Sequence, residues 1–438
     1  MRYEPADYQR RLADFLASQD RVAGFASPGL GKTAATLDAF HQLMVDGAAR
    51  AMLVVAPLRV ATLTWPNEIA KWDFSRTWKV ENLRDQKPSG RAQVYLINYE
   101  SVHKLKDLSF CDVVVFDELT KAKNHKSKRI KYLTGLFRHH RRIGLTGTPR
   151  PNSLLELFAQ IRLLDDGKAL GRSFEQFKRT YCYPTDYMEY NWVPKPGAEQ
   201  QVYDRIAHLA LTLRASDYLD IPDTEVEDVE IALPEEALDQ YRELEKHLVL
   251  LLDKGDVMAS NAGVLVSKLL QVTGGQVYDD QRQVIPIHGA KIAALKKVLV
   301  GLDRERAIIF TNFIHERERV VQEIPGAVDA ARFEGDIEEA WNRGRIQYLV
   351  ADPRSLGHGL NLQAGGRNTI WYSLNHSREL YDQANARTAR KGQTQTPRIY
   401  RILCSGTIDD AVVETLRNRG DEQNAMLAIL SNYRKLLH

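Results

Sequence analysis

The chain is predicted to fold as two α/β lobes, each built on a parallel sheet, with small helical protrusions. Three observations predict it. Short continuous apolar runs alternate with amphipathic segments between Val22 and Thr146, the alternation stops through a helical middle stretch, and it returns between Ala290 and Leu403. Runs that are apolar throughout belong to strands covered on both faces, and helices between them make the crossovers parallel. At 438 residues the chain is also too long for one ordinary core.

In chain order, the expected strands of the first lobe are Val22 to Ala26, Ala51 to Ala56, Ala92 to Ile97, Asp112 to Phe116 and Arg142 to Thr146. Helical periodicity fills the gaps, as in Thr33 to Val45 and Val60 to Trp72. Ser153 to Leu164, Ser173 to Tyr181 and Glu199 to Leu213 then read as helices with no strands between. Pro222 and the acidic stretch Thr224 to Ile231 read as a crossing linker, followed by helices Glu235 to Leu252 and Asn261 to Val272. The second lobe comprises helix Ala290 to Leu299, strands Ala307 to Phe310, Ile346 to Val350 and Thr369 to Tyr372, helix Arg378 to Ala389, strand Arg398 to Leu403 and a helix from Ile408. The boundaries fall at 1–164 for the first lobe, 165–224 for a helical protrusion with an aromatic loop, and 225–438 for the second lobe with its protrusion near 233–275.

Composition excludes several classes. Apolar residues make up 44% and charged residues 27%, which suits a globular protein rather than a disordered one. Cys111, Cys182 and Cys404 are too scattered for a zinc site or a disulfide framework, so a reducing cytosol is expected. No apolar run approaches the ~20 residues of a membrane span, and Met1 to Pro5 lacks the apolar stretch of a signal peptide. His139, His140, His288, His315 and His358 have no partners at metal-ligand spacing. The net charge of +3 decides nothing, but basic residues outnumber acidic ones from Lys104 to Arg142 and from Arg367 to Arg401. Such segments fit either a phosphate-backbone partner or a solvated helix face. Tyr181 to Gly197, with Tyr183, Tyr187, Tyr190 and Trp192, is either a base-stacking wedge or a hairpin packed on its own aromatics.

Three stretches carry chemistry. Ser27-Pro28-Gly29-Leu30-Gly31-Lys32-Thr33 follows an expected strand and opens an expected helix, the context that makes a phosphate loop meaningful. Pro28 is expected on the nucleotide with the rest of the loop, Gly29 and Gly31 let backbone N–H groups face its phosphates, Lys32 reaches the β and γ phosphates of ATP, and the Thr33 hydroxyl reaches Mg2+. Ala26 stands where the fullest form of the pattern has glycine. Val113 to Phe116 is a buried strand that delivers Asp117 and Glu118 at its carboxyl end, where open α/β sheets bind ligands. Asp117 is expected to hold magnesium and Glu118 to position or deprotonate the attacking water. Gln383 to Gln393 holds Arg387 and Arg390, three apart and so on one helical face. Guanidinium forks of this kind brace several phosphate oxygens at once.

With Asp117-Glu118-Leu119-Thr120, Lys123-Asn124 and Leu145-Thr146-Gly147-Thr148-Pro149, the chain resembles the superfamily-two helicases, and among them the Swi/Snf-type DNA translocases. The resemblance runs over nearly the whole chain. Tyr8-Gln9 is similar to the adenine-reading motif, Pro57 to Trp72 (with Trp65, Glu68 and Trp72) to motif Ia, and Asn98-Tyr99-Glu100 to motif Ib. Ile308 to Phe313 is similar to motif IV, Gly357-His358-Gly359-Leu360-Asn361-Leu362 to motif V and Gln383 to Gln393 to motif VI. The resemblance implies RecA-like lobes that close on ATP and Mg2+, with Gln9, Gly359, Asn361 and Gln383 on the nucleotide and Arg387 and Arg390 at the γ phosphate. It implies DNA contacts from Arg59, Tyr99, Thr311 and Asn312, and coupling through Thr120, Thr146 and Gln393. Thr120 departs from the His or Asp usual at its position, and Val320 to Ile346 is compressed, as in the compact versions of phages and prophages.

The function so implied is a DNA-stimulated ATPase that moves along duplex DNA without reading sequence, as a monomer in the cytoplasm of a prokaryotic or phage-infected cell. Two alternatives stay open at this point. One is a strand-separating or branch-remodelling DNA helicase, and the other is a non-translocating, ATP-gated subunit that remodels DNA or a replication protein.

Overall fold

The computed structural model describes residues 1–122, 128–147, 154–184, 189, 192–218, 222–253, 259–356, 360–375, 377–390, 392–417 and 429. The chain divides into two compact units, Met1–Leu219 and Asp220–His438. Each is an α/β unit on a parallel sheet, the class the alternation of apolar runs and helices predicts.

Strands of the first unit are β1 (Arg21–Ala26), β2 (Met52–Ala56), β3 (Val80–Asn82), β4 (Val94–Asn98), β5 (Val113–Asp117), β6 (Arg141–Thr146), β7 (Cys182–Pro184), β8 (Trp192–Pro194) and β9 (Ala210–Leu213). Seven of them form one sheet in the order β3-β4-β2-β5-β6-β1-β9, while β7 and β8 pair as a hairpin. Successive side chains of a strand point to opposite faces, and both faces here are covered. Phe25, Leu53, Val55, Tyr95, Ile97 and Phe116 enter one core. Val22, Ala26, Met52, Val54, Val94 and Val115 enter the other. This two-sided burial is why the strands read as unbroken apolar runs.

The second unit contains β10 (Glu225–Ile231), the hairpin β11 (Gln276–Tyr278) and β12 (Val284–Pro286), then β13 (Ala307–Phe310), β14 (Ala327–Asp329), β15 (Tyr348–Ala351), β16 (Asn368–Trp371) and β17 (Arg398–Cys404). Its sheet runs β10-β17-β16-β13-β15-β14. The helices Glu235–Asp253 and Ala259–Gly274 join its core through Tyr241, Val266 and Leu269.

Two expectations about the middle of the chain are corrected. The helix expected over Glu199 to Leu213 ends at Ile206, and Ala210–Leu213 is β9, an edge strand parallel to β1. The segment expected as a crossing linker is β10, seven residues in register with β17. Its acidic composition disguises it, because an edge strand keeps one face in solvent. Those acids also have partners: Asp228 accepts from Nε and Nη2 of Arg401, at 2.5 and 2.7 Å, and Glu225 accepts from Arg398 at 3.1 Å. Arg367 is likewise paired with Glu305. Part of the basic run from Arg367 to Arg401 therefore neutralises carboxylates of its own unit. Arg142, in the other basic run, is fully buried and satisfied by the carbonyls of Phe137 and Leu163 and by Asp166.

Candidate active site

In the first unit the neighbouring strands β5, β6 and β1 all release their chain at the same edge, because parallel strands share a carboxyl end. Ser27 to Gly31 follow β1, Glu118 follows β5 and Gly147 follows β6. Three motifs far apart in sequence therefore meet at one edge of one sheet.

The loop after β1 has Gly29 and Gly31 in left-handed conformations, φ 91° and 75°, and Gly31 caps the helix Lys32–Val45. A Cβ on Gly31 would stand 2.2 Å from Gln9 Nε2, and the left-handed backbone at this position favours glycine. Gln9 is tied to both flanks: its Oε1 accepts the Ala6 amide at 3.0 Å and its Nε2 donates to the Leu30 carbonyl at 3.2 Å. Pro28 lies 3.3 Å from where a Cβ on Gly147 would be, which brings the loop onto the end of β6. Lys32 Nζ donates to the Ala26 carbonyl at 2.6 Å. Thr33 occupies the first turn of the helix, half-buried.

Asp117 is 7% exposed, with both carboxylate oxygens engaged. The Glu118 amide donates to Oδ1 at 3.0 Å and the Trp65 indole donates to Oδ2 at 2.9 Å. Burial and the charge of Glu118 push this carboxyl up to about 6, against the pull of the indole, Lys32 and the Glu118 amide. Glu118 has φ 55°, a left-handed conformation that costs a side chain with a Cβ about 1 kcal/mol or more. Thr120 and Thr146 are both buried, in the turn Leu119–Ala122 and at the end of β6.

Oxygen donors suit magnesium, which is held by one or two protein groups together with substrate phosphates. Thr33 and Asp117 are such donors. Among the described residues no group of three or more His, Cys, Asp or Glu forms a metal cage of its own. The residues fit an ion shared with a nucleotide.

In the second unit, Arg387 is 6% exposed and Arg390 half-buried, and both reach the Leu360 carbonyl, at 2.9 and 3.5 Å. Arg387 Nε also donates to the Gln383 carbonyl, 3.2 Å away. Gln383 donates to Glu379 at 3.0 Å. Asn361 is held by Glu338 through its amide and its side chain, at 3.0 and 3.2 Å. Gly359, Lys123, Asn124, Thr148, Pro149, Tyr187 and Tyr190 lie outside the described residues.

Two expected roles change. Tyr99, expected on DNA, is 1% exposed, and its hydroxyl donates to the Asp117 carbonyl at 3.0 Å. Thr311, also expected on DNA, is 1% exposed at the end of β13. Side chains buried this far present no surface to a phosphate backbone. Gln393, expected to couple motifs, gives its amide to the Thr388 carbonyl in its own turn and to the carbonyls of Gln363 and Gly366, 30 and 27 residues away. Arg59 and Asn312 remain partly exposed, Asn312 accepting from Asn375 at 2.9 Å.

Sequence reasoning missed Trp65 and Glu338 as partners of predicted residues. Trp65 was visible only as part of a helical motif. Glu338 carries no local signal at all.

Comparison with known proteins follows the same lines. The family described as the SNF2-related domain matches residues 8–273. The putative protein p41 of Acyrthosiphon pisum secondary endosymbiont phage 1 is 30% identical over 97% of this chain and 98% of its own. The CHD3-type chromatin-remodeling factor CHR7 of Arabidopsis thaliana is 26% identical over 89% of this chain, which spans 34% of that protein. Among solved structures, the Sulfolobus solfataricus SWI2/SNF2 ATPase core in complex with dsDNA matches with a TM-score of 0.47 and 21% identity, over 99% of this chain and 94% of that one.

Proposed function

This chain belongs to the SNF2-related family, and on that premise we propose that it is a DNA-stimulated ATPase that moves along duplex DNA. The observation that carries the reading is the convergence of the Gly29–Lys32 loop and the Asp117–Glu118 pair at one sheet edge. A binding protein for nucleotides needs the loop alone. A hydrolase also needs a base, and on this reading Glu118, next to the buried Asp117, serves as one.

On this reading Lys32 exchanges the Ala26 carbonyl for the β and γ phosphates of ATP. Asp117 and Thr33 would hold magnesium, which when bound would supply positive charge to the phosphate oxygens. Glu118 orients the attacking water and takes its proton. Arg387 and Arg390, carried by the second unit, supply positive charge to the transferring phosphoryl group, the role of an arginine finger. Their shared hold on the Leu360 carbonyl keeps the two guanidiniums side by side.

The DNA-facing part of the proposal rests on the family and on the partly exposed Arg59 and Asn312. Contacts of this type go to phosphates and carry no sequence information. Affinity for DNA is therefore expected to fall with salt by about 0.9 log units per phosphate neutralised for each tenfold rise. The testing experiment measures ATP turnover alone and with duplex DNA, single-stranded DNA, forked DNA and RNA, alongside displacement of a triplex-forming strand. Stimulation by duplex DNA with triplex displacement and no unwinding of a long blunt duplex is the expected result. Stronger stimulation by RNA, or efficient unwinding, rejects it.

A further inference from the structure

We propose that Trp65 and Tyr99 are positioning residues for the acidic pair: Trp65 fixes the carboxylate of Asp117 and Tyr99 fixes the backbone of Glu118. The proposal deepens the ATPase reading above and rests on it.

Trp65 opens the helix Trp65–Lys71 and is completely buried. It follows a π-helical turn over Val60–Thr64, closed by the Trp65 amide on the Val60 carbonyl. A π turn takes in one extra residue and so swings the faces beyond it by about 100°. Past that swing, the indole N–H reaches Asp117 Oδ2 at 2.9 Å, while the Glu118 amide holds Oδ1 at 3.0 Å. With a donor on each oxygen, the carboxylate plane has no freedom to turn.

The identity of the donor matters chemically. An indole is a donor only and carries no charge. It orients an anion without neutralising it, whereas Lys or Arg in its place would compete with a divalent cation for Asp117. Neutral outer partners of this kind tune the groups that touch a metal.

Tyr99 works from the other side. It follows β4, which is separated from β5 by β2, and its hydroxyl lies 3.0 Å from the Asp117 carbonyl and 3.4 Å from that of Glu118. One of those two carbonyls precedes and the other belongs to Glu118, a non-glycine residue held in the left-handed region at φ 55°. A buried donor on the flanking carbonyls favours that conformation over relaxation to an ordinary one. The direction in which the Glu118 side chain leaves the backbone is set there.

Both residues also fill cores, so the test must separate positioning from packing. Tyr99→Phe removes only the hydroxyl. At position 65 the isostere 3-benzothienylalanine keeps the ring size and removes only the N–H, and Trp65→Phe serves as the ordinary variant. The full chain is assayed for ATP turnover, for equilibrium binding of a fluorescent ATP analogue, and for Mn2+ affinity by electron paramagnetic resonance with a non-hydrolysable analogue. Tyr99→Phe is expected to lower kcat about tenfold with nucleotide affinity within about twofold, and loss of the indole N–H to lower Mn2+ affinity about tenfold or more. Wild-type kcat and Mn2+ affinity in both variants overturns the proposal. So does a matched loss of nucleotide affinity, turnover and thermal stability, which would show packing alone. A wild-type chain that hydrolyses no ATP under any condition sinks the ATPase reading instead, and is told apart because the wild type itself is then silent.

Discussion

The side-chain amide of Gln9 occupies the space a side chain at Gly31 would need, its nitrogen 2.2 Å from where a Cβ would stand. The same nitrogen donates to the carbonyl of Leu30, one residue before. The first helix of the chain is thereby latched onto the phosphate loop, and the latch works only because position 31 is bare and left-handed.

Gly31→Ala is therefore expected to damage the loop twice. A φ of 75° costs an alanine about 1–2 kcal/mol, and the new methyl expels the Gln9 amide. Binding of a fluorescent ATP analogue should weaken at least about tenfold, an effect of about 1.4 kcal/mol on affinity. Unchanged affinity in a folded Gly31→Ala protein would falsify the latch.

Lys32→Ala should abolish ATP turnover, since Lys32 is the only cationic side chain in the loop. Glu118→Gln should bind ATP and hydrolyse it very slowly, because the amide retains the shape but not the base. Normal steady-state turnover by Glu118→Gln, measured by phosphate release, would remove that residue from the chemistry.

Arg390→Ala should lower turnover on the order of 10³-fold, the scale of a lost arginine finger, with ATP affinity largely intact. Arg387→Ala should in addition lower thermal stability, because Arg387 is 6% exposed and bonded to the carbonyls of Gln383 and Leu360. Equal melting temperatures for the two variants would contradict this division of roles.

Stability should carry two opposed pH slopes from neighbouring residues. Burial pushes the Glu316 carboxyl from 4.5 up to about 7, against hydrogen bonds from Ser373 and the Phe313 and Asn312 amides and the charge of Lys291. Between about pH 4.5 and 7 the unfolded chain releases this proton before the folded one does, so the contribution falls as pH rises. Burial pushes His315 from 6.5 down to about 4. Between those values the unfolded chain takes up the proton first, so its contribution falls as pH drops. Glu316→Gln should gain stability relative to wild type from about pH 4.5 to 7, by at most about 3 kcal/mol. His315→Phe should gain as pH falls from about 6.5 to 4. Urea unfolding at several pH values checks both, and parallel pH curves for wild type and variants would show that neither group titrates in this way.

Much of the site was legible because its signals are local. Lys32, Gly29 and Gly31 are read from spacing within one loop, and Asp117 and Glu118 from their place at the end of an apolar strand. The motif names, by contrast, misled where they stood in for surface position. Tyr99 was assigned to DNA from its neighbours in sequence, yet its hydroxyl belongs to the Asp117 carbonyl. The amide of Gln393 reaches the carbonyls of Gln363 and Gly366, 30 and 27 residues away, as well as that of Thr388, links that no local window contains. The strand β10 was read as a linker because its apolar residues alternate with acids that only their cross-strand arginines explain.

By itself the sequence determined the two-lobe α/β plan and singled out the glycine-rich loop and the acidic pair. Both depend on periodicity and spacing within a few residues, where backbone geometry leaves little choice. Tertiary structure decided what surrounds those groups. Trp65 and Asp117 are 52 residues apart and Tyr99 and Asp117 18 apart, and each pair meets only through the folding of the first unit. Strand order is set by the packing of a whole lobe, so no local window of sequence could announce which aromatic ring would hold the acid in place.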